Sequence, residues 1–384
     1  MKKLLLVSKY AFYPPHWQAF TQICQSHGVQ GAVISDRCPT LPSVHQQLGW
    51  IDADAAAQLP FVTEIATVPD AGAFKRRRWL KETLDRIRPD AIWLQQEPNE
   101  RLSLELLAHY RSKPGPSIVT AVCENVFRRR SWWTQHSYSK RWSRLDGLLA
   151  TAEESVTAIR RAGMPATVPA KTLVAGMEGP PADVPTMDLD LETDGSDFIV
   201  GFAGRICEEK GWHLLLDAVE SLPARFKVAL AGDGTQSQQL AERATRGSLK
   251  GRVAVLGVLP KQQLWSFYRA VDCLALPSMT RPKWKEQFGG VLADAMAMGL
   301  PIIGSDSGSI PEVVGPAGLI VAEGRSEPIA NAILELSSSD KNLKRLSVVA
   351  HERYDSEFSI NAYATKIGSV LNLHVHNSCN QKIA

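Results

Sequence analysis

Short apolar, β-branched runs alternate with longer amphipathic stretches along most of the chain. This is the βαβ rhythm, which produces parallel sheets covered by helices. In the first half the predicted strands are LLLVS (4–8), GAVIS (31–35), AIWLQ (91–95), SIVTAV (117–122) and GLLAT (147–151). In the second half they are FIVGFAG (198–204), KVALAG (227–232), RVAVLG (252–257), DCLALPS (272–278) and PIIGS (301–305), followed by GLIV (318–321). Between the two sets lies GMEGPPADVPTMDLDLETDGSD, rich in Pro, Gly and acids and poor in large apolar groups. The pattern predicts an α/β chain with a first domain over 1–176, a linker over 177–197 and a second domain over 198–354.

A chain of 384 residues is long enough for two domains that each bury a core. The start, MKKLLLVSKY, has an apolar run only from Leu4 to Val7 before Lys9, too short for a signal peptide and right for a first strand. No window reaches the roughly 20 apolar residues that cross a bilayer, so a soluble or peripheral protein is expected. Cys24, Cys38, Cys123, Cys207, Cys273 and Cys379 form no close pair. That argues against a disulfide scaffold or a zinc site and suits a reducing cytoplasm. The net charge of +3 hides an asymmetry: residues 1–180 carry 23 basic and 16 acidic side chains, the remainder 20 and 24.

In a doubly wound sheet, ligands sit outside the carboxyl ends of the strands. The strand FIVGFAG ends in Gly204-Arg205, and Lys210-Gly211 opens the next helix, so Arg205 and Lys210 are expected at the cleft, where two cations suit a pyrophosphate. The segment PKWKEQFGGVLADAMAMGLPIIGSDSGSIPEVVGP (282–316) predicts a helix from Gly290 to Met298, stopped by Gly299 and Pro301. Gly289 and Gly290 then lie at a helix N-terminus, whose unpaired N–H groups and positive dipole end form an anion site. Glu286 precedes that turn and Asp294 lies about one turn inside the helix, placed to accept hydrogen bonds from two sugars flanking a phosphate. The simpler alternative is that both acids only favour the helix N-terminus electrostatically. A G-x-G-x-x-G after the first strand of either half is missing, which removes a nicotinamide dehydrogenase from consideration. The D-x-D at Asp188-Leu189-Asp190 lies in the linker, an unpromising place for a metal site.

These motifs together resemble the retaining family-4 glycosyltransferases of the GT-B fold, two Rossmann-like doubly wound parallel-sheet domains facing a central cleft. The resemblance rests on GFAGRICEEKG, ALAGDG, VAVLGVLPKQQLWSFYRAVDCLALPS and EQFGGVLADAMAMGLPIIGSDSGSIPEVVG. It implies that Gly204, Arg205 and Lys210 meet the donor diphosphate. Glu286 would bind hydroxyls of the donor sugar, with the backbone of Phe288, Gly289, Gly290 and Val291 around sugar and phosphate. The base would lie near Gly257-Val258-Leu259 and Pro277-Ser278. Asp294 stands where the family has the second glutamate of its E-x7-E motif, one methylene shorter. The resemblance also implies a helix over 355–372 that crosses back onto the first domain, with a polar tail over 373–384. It implies no cofactor and no metal: the nucleotide diphosphate sugar is a co-substrate, and cations with a helix dipole stabilise the leaving group.

The first half departs from the pattern. PPHWQAF stands where the family often has a Gly-Gly loop, leaving His16 and Trp17 as acceptor contacts or as plain loop residues. Cys123-Glu124-Asn125 stands where many members have a histidine, so Glu124, facing Glu97 across neighbouring strand ends, and Asn125 are the acceptor-side candidates. Residues 126–144, VFRRRSWWTQHSYSKRWSR, hold six basic residues, three tryptophans and no acid. With the KRRR cluster at Lys75 to Arg78, they suit an anionic membrane surface, or a solvated face with tryptophans packed inward. A nucleic-acid partner is not expected, because the donor motif already accounts for the cleft. The expected enzyme is a retaining, metal-independent hexosyltransferase using a UDP- or GDP-linked sugar and a saccharide or lipid-linked acceptor. It would be cytoplasmic or peripheral at the inner face of the cytoplasmic membrane. The alternatives are a catalytically silent GT-B subunit and a nucleotide-sugar epimerase or hydrolase.

Overall fold

The computed structural model describes residues 1–35, 51–111, 115–125, 131–173, 176–371 and 373. Cys38, Cys379, residues 126–130 of the basic segment and the tail from 374 lie outside them. The chain divides into two compact units, Met1–Gly176 with the segment from Ile360 onward, and Met177–Ser359.

The first unit is built on seven parallel strands in the order β3-β2-β1-β4-β5-β6-β7. They are β1 (Lys3–Ser8), β2 (Gln30–Ser35), β3 (Val62–Thr67), β4 (Ala91–Leu94), β5 (Ser117–Val122), β6 (Gly147–Ala150) and β7 (Ala170–Thr172). The continuous apolar runs of β1, β2 and β4 follow from burial on both faces. Leu5, Val7, Ile34 and Ile92 enter one apolar cluster, and Leu4, Leu6, Val33 and Trp93 the other. The strands β3 and β7 were not expected from the sequence. Each lies at a sheet edge, and VTEIAT and AKT have partly exposed positions that lack an apolar run. The covering helices include α1 (Pro14–Ser26), α2 (Ala53–Ala57), α3 (Ala73–Ile87), α4 (Arg101–His109), α5 (Trp132–Trp142) and α6 (Glu153–Arg161).

The second unit has six parallel strands in the order β10-β9-β8-β11-β12-β13. These are β8 (Phe198–Ala203), β9 (Phe226–Ala231), β10 (Val253–Gly257), β11 (Cys273–Leu276), β12 (Ile302–Ser305) and β13 (Gly318–Val321). Its helices are α7 (Trp212–Glu220), α8 (Ser237–Ala244), α9 (Lys261–Arg269), α10 (Gly290–Ala297), α11 (Ile310–Val314), α12 (Ser326–Ser337) and α13 (Asp340–Arg353). In each sheet the strand order reverses once, between β1 and β4 and between β8 and β11. Ligands of doubly wound sheets sit at such switch points.

Residues 177–197, read as a linker, belong to the second unit. Val184 and Leu189 are buried there, and the Met187 amide donates to the Ser266 carbonyl at 3.1 Å. The D-x-D forms a turn, with the Asp190 amide donating to Asp188 Oδ1 at 3.0 Å and Leu189 turned inward. The return to the first unit comes at Ile360 rather than 355, because Tyr354 and Phe358 are buried in the second. There the Tyr354 hydroxyl donates to the Met177 carbonyl at 2.9 Å, and the Met177 amide to Phe358 at 2.7 Å. The last helix, α14 (Ile360–Val370), lays Tyr363, Ala364 and Ile367 into one cluster of the first unit.

Candidate active site

The switch point of the second sheet gathers the expected donor residues from the loops after β8 and β11. Arg205 follows β8, and its side chain is 63% exposed, with only a 3.5 Å approach to Glu209. Lys210 closes a short 3-10 turn (Glu208–Lys210) and points its ammonium at Glu286 Oε2, 2.6 Å away. Ser278, two residues past the end of β11 and fully buried, donates its hydroxyl to the same oxygen at 2.9 Å. Lys210 also lies over the Trp284 ring, 5.2 Å from its centroid.

Glu286 is held from behind. Its carbonyl accepts the Ser309 amide at 3.1 Å and the Ser309 hydroxyl at 3.3 Å. Gly308 permits this approach, since a Cβ there would sit 2.2 Å from that carbonyl, and its φ of +57° is also one that glycine favours. Gly289 caps α10 at a φ of +69°, so the turn into the helix leaves Gly290 and Val291 with N-terminal amides. Phe288 packs its ring on Phe358 at 6.0 Å between centroids. Pro277 is buried, and Val258, beyond β10, is 72% exposed and available as a flat apolar contact.

Asp294 lies within α10, 5% exposed, and its Oδ1 accepts the Lys261 ammonium at 2.6 Å. Lys261, the first residue of α9, rests on the Trp265 ring at 4.2 Å. Sequence reading passed over Lys261, although only two residues separate Pro260-Lys261 from the carboxyl end of β10, where ligand-facing residues gather. Burial raises the Asp294 carboxyl above its ordinary range, against the pull of Lys261, and Glu178 raises it further. The Tyr268 hydroxyl, close enough to feel the Asp294 charge, is buried with no hydrogen-bond partner among the described residues. The two acids therefore form two separate acid–lysine pairs, one at the expected phosphate and sugar position and one a helical turn deeper.

In the first unit, Glu97 Oε1 accepts the amides of Cys123 and Glu124 at 2.7 and 3.0 Å. It ties the end of β4 to the end of β5 and brings the two acids together. Burial raises the Glu97 carboxyl, with Glu124 and Glu100 adding to it and the two amides opposing. Asn125 is buried beside them in sequence. PPHWQAF is the opening of helix α1, with proline at its start, instead of a loop. Trp17 is 5% exposed and spends its ring on Phe12 and Phe20, so it belongs to the core.

His16 is half-buried and held in a hydrogen-bond network. Its Nδ1 donates to the Tyr10 carbonyl at 3.1 Å, and its Nε2 accepts from the Gln95 amide at 3.2 Å. Gln95 Oε1 in turn accepts from Trp93 Nε1 at 2.9 Å and the Tyr363 hydroxyl at 3.1 Å. Burial lowers the His16 pKa to about 4, so the ring is neutral and both nitrogens are committed. Between about pH 6.5, the ordinary value, and 4 the unfolded chain binds the proton and the folded chain does not. Stability is therefore lost as pH falls across that window, at up to about 1.4 kcal/mol per pH unit. Denaturant titrations at pH 4.5 and 7 should show that slope and its reduction in His16→Gln. An equal slope in the two proteins would remove His16 as the cause.

Among the described residues, no cluster of three or more His, Cys, Asp or Glu is arranged to hold a metal ion. No helix among them is long and apolar enough to cross a membrane.

Residues 185–353 match the family model described as glycosyl transferases group 1. The chain is 25% identical over 173 residues to the amylovoran biosynthesis glycosyltransferase AmsK of Erwinia amylovora, covering 44% of this chain and 42% of that one. It is 25% identical over 299 residues to the lipopolysaccharide core biosynthesis mannosyltransferase LpsB of Rhizobium meliloti strain 1021, covering 74% and 79%. Matches to AmsK and two similar relatives span 42%, 41% and 48% of their lengths, less than half in each case. In structure, the chain is similar to Anabaena Alr3699/HepE, crystallised in complex with UDP, with a TM-score of 0.65 at 20% identity, covering 97% of this chain and 100% of that one. Residues 185–353 thus resemble the glycosyl transferases group 1 family, in a chain whose two Rossmann-like units have the GT-B fold.

Proposed function

We propose that the protein is a retaining hexosyltransferase of family 4. It moves a hexose from a UDP- or GDP-linked donor to a saccharide or lipid-linked acceptor held by the first unit, in surface polysaccharide or glycolipid synthesis. The observation that carries this reading is the buried Lys210–Glu286–Ser278 cluster beside the α10 N-terminus, at the switch point of a unit that resembles the glycosyl transferases group 1 family. Relatives that act in amylovoran and lipopolysaccharide core synthesis, and a fold neighbour that binds UDP, support it.

In this reading Lys210, Arg205 and the α10 amides take the charge of the diphosphate, and no metal is required. Glu286 holds hydroxyls of the hexose, and Asp294 with Lys261 holds the ribose. The acceptor oxygen bonds to the anomeric carbon as the bond to phosphate breaks on the same face. The acceptor proton passes to the departing phosphate oxygen, so neither unit has to supply a side-chain base. Positioning and charge stabilisation then account for most of the rate. The first unit presents Glu97, Glu124 and Asn125 to the acceptor, and the protein works at the inner face of the cytoplasmic membrane.

Calorimetry of UDP, GDP, ADP and TDP binding in chelator-treated buffer is the direct test. One diphosphate should bind, and Lys210→Ala should weaken it by about 1.5 to 3 kcal/mol, the range for a hydrogen bond to a charged group. If none of the four binds, the donor site assigned here is wrong.

A further inference from the structure

The transfer chemistry leaves unused a groove in the helical layer of the first unit, formed by α3, α4 and α5. Its volume is about 510 Å³, and Arg77, Lys81, Arg101, His109 and Arg141 line it. Glu105 is the one acid in that lining. It is already spent: Arg76 grips both of its oxygens, at 2.5 and 2.9 Å, with both side chains buried. Arg77 and Arg101 each stand 3.7 Å from the same Glu105 oxygen, and both are about two-thirds exposed, at 69% and 66%. One carboxylate shared among three guanidinium groups leaves the groove strongly positive.

Aromatic side chains stand exposed on the same helices. Phe74 is 81% exposed at the start of α3, and Trp133 is 76% exposed at the start of α5. Phe74, Arg77 and Lys81 are three and seven positions apart, which puts them along one helical stripe, and Trp133 and Lys140 share a stripe in the same way. An exposed large aromatic is costly in water and stable at headgroup depth, where its ring leaves water while cations meet phosphate. Exposed rings beside unneutralised cations therefore fit a bilayer surface better than they fit a small soluble anion.

We propose that this face docks on an anionic bilayer, the groove seating lipid phosphate groups and Phe74 and Trp133 entering the headgroup region. The proposal rests on the membrane location given above, but its test needs neither nucleotide sugar nor acceptor, so the two can fail separately. In cosedimentation, the wild-type protein should bind vesicles of phosphatidylglycerol and phosphatidylcholine, should not bind phosphatidylcholine alone, and should be released by salt. Arg77→Gln with Lys81→Gln should weaken binding roughly thirtyfold, from about 1 kcal/mol per basic residue near a charged surface. Phe74→Ser with Trp133→Ser should weaken it without changing the salt dependence. All four positions are on the surface, and thermal melting of the variants checks that the fold is kept. Equal binding to neutral vesicles, or unchanged binding by the Gln variant, would overturn the proposal. So would full displacement by millimolar inorganic phosphate, or a preference for single-stranded oligonucleotide over vesicles.

Discussion

Alanine in place of Lys210 is expected to lower kcat/KM for sugar transfer by about 10²- to 10³-fold, the loss typical of removing one preorganised charge-stabilising donor. Two effects are combined in that substitution. Lys210 is the cation nearest the expected diphosphate, and it is also the partner of a Glu286 carboxylate that is 6% exposed. Leaving a buried charge unpaired costs about 3 to 5 kcal/mol, so Lys210→Ala should also melt well below the wild type. Adding Glu286→Gln separates the effects. Glutamine keeps the shape and the bond from Ser278 and carries no charge, so the double variant should regain most of the lost melting temperature. Its transfer rate should stay low, because neither the cation nor the sugar-binding carboxylate has returned. The pair of measurements is paired kinetics and thermal melting on both variants. Recovery of both activity and stability in the double variant would show that Lys210 serves only to neutralise Glu286.

The second unit was more legible in the sequence than the first, for a physical reason. A site that grips a diphosphate uses short loops and a helix N-terminus, and these need glycines, prolines and charges at fixed offsets. Gly289 at positive φ, Gly308 against the Glu286 carbonyl and Lys210 before Gly211 are visible as letters. The four inner strands of that sheet are buried or half-buried runs, and the edge strands β10 and β13, though each has one exposed position, stay apolar in sequence, so periodicity detects all six. In the first unit β3 and β7 are edge strands with polar, partly exposed positions, and β-propensity is weak where one side meets water. His16 looked like chemistry because it follows the first strand. Its neutral, fully bonded state depends on Gln95 and Tyr363, which lie far away in the chain. Lys261 was missed for the same reason, since its partner Asp294 is 33 residues on.

Asp294→Asn is expected to raise the KM for the donor by about tenfold or more, from the loss of hydrogen bonds to a charged acceptor worth about 1.5 to 3 kcal/mol. It should also remove an acid-side fall in donor affinity. The sign follows from the raised carboxyl: Asp294 takes its proton at a higher pH than an ordinary aspartate, mainly because it is buried. Donor affinity is then full above that raised value and is lost as pH falls through it, when both the ion pair to Lys261 and the ribose bonds weaken. Stability runs the other way. A carboxyl whose folded pKa is raised disfavours folding while charged, so acidification relieves a cost in the same range where it weakens binding. Asp294→Asn should therefore melt no lower than the wild type at neutral pH while binding the donor worse. That opposition is expected of a residue kept for its ligand at some expense to the fold. Lys261, 36% exposed on its side chain, has room to follow the ribose, and Asp294→Glu should keep donor affinity by extending the carboxylate toward it. KM measured from pH 5 to 8 for the wild type, Asp294→Asn and Asp294→Glu decides the matter. A KM that neither the pH nor the asparagine alters would mean that the Asp294–Lys261 pair only braces α10 against α9 and never meets the nucleotide.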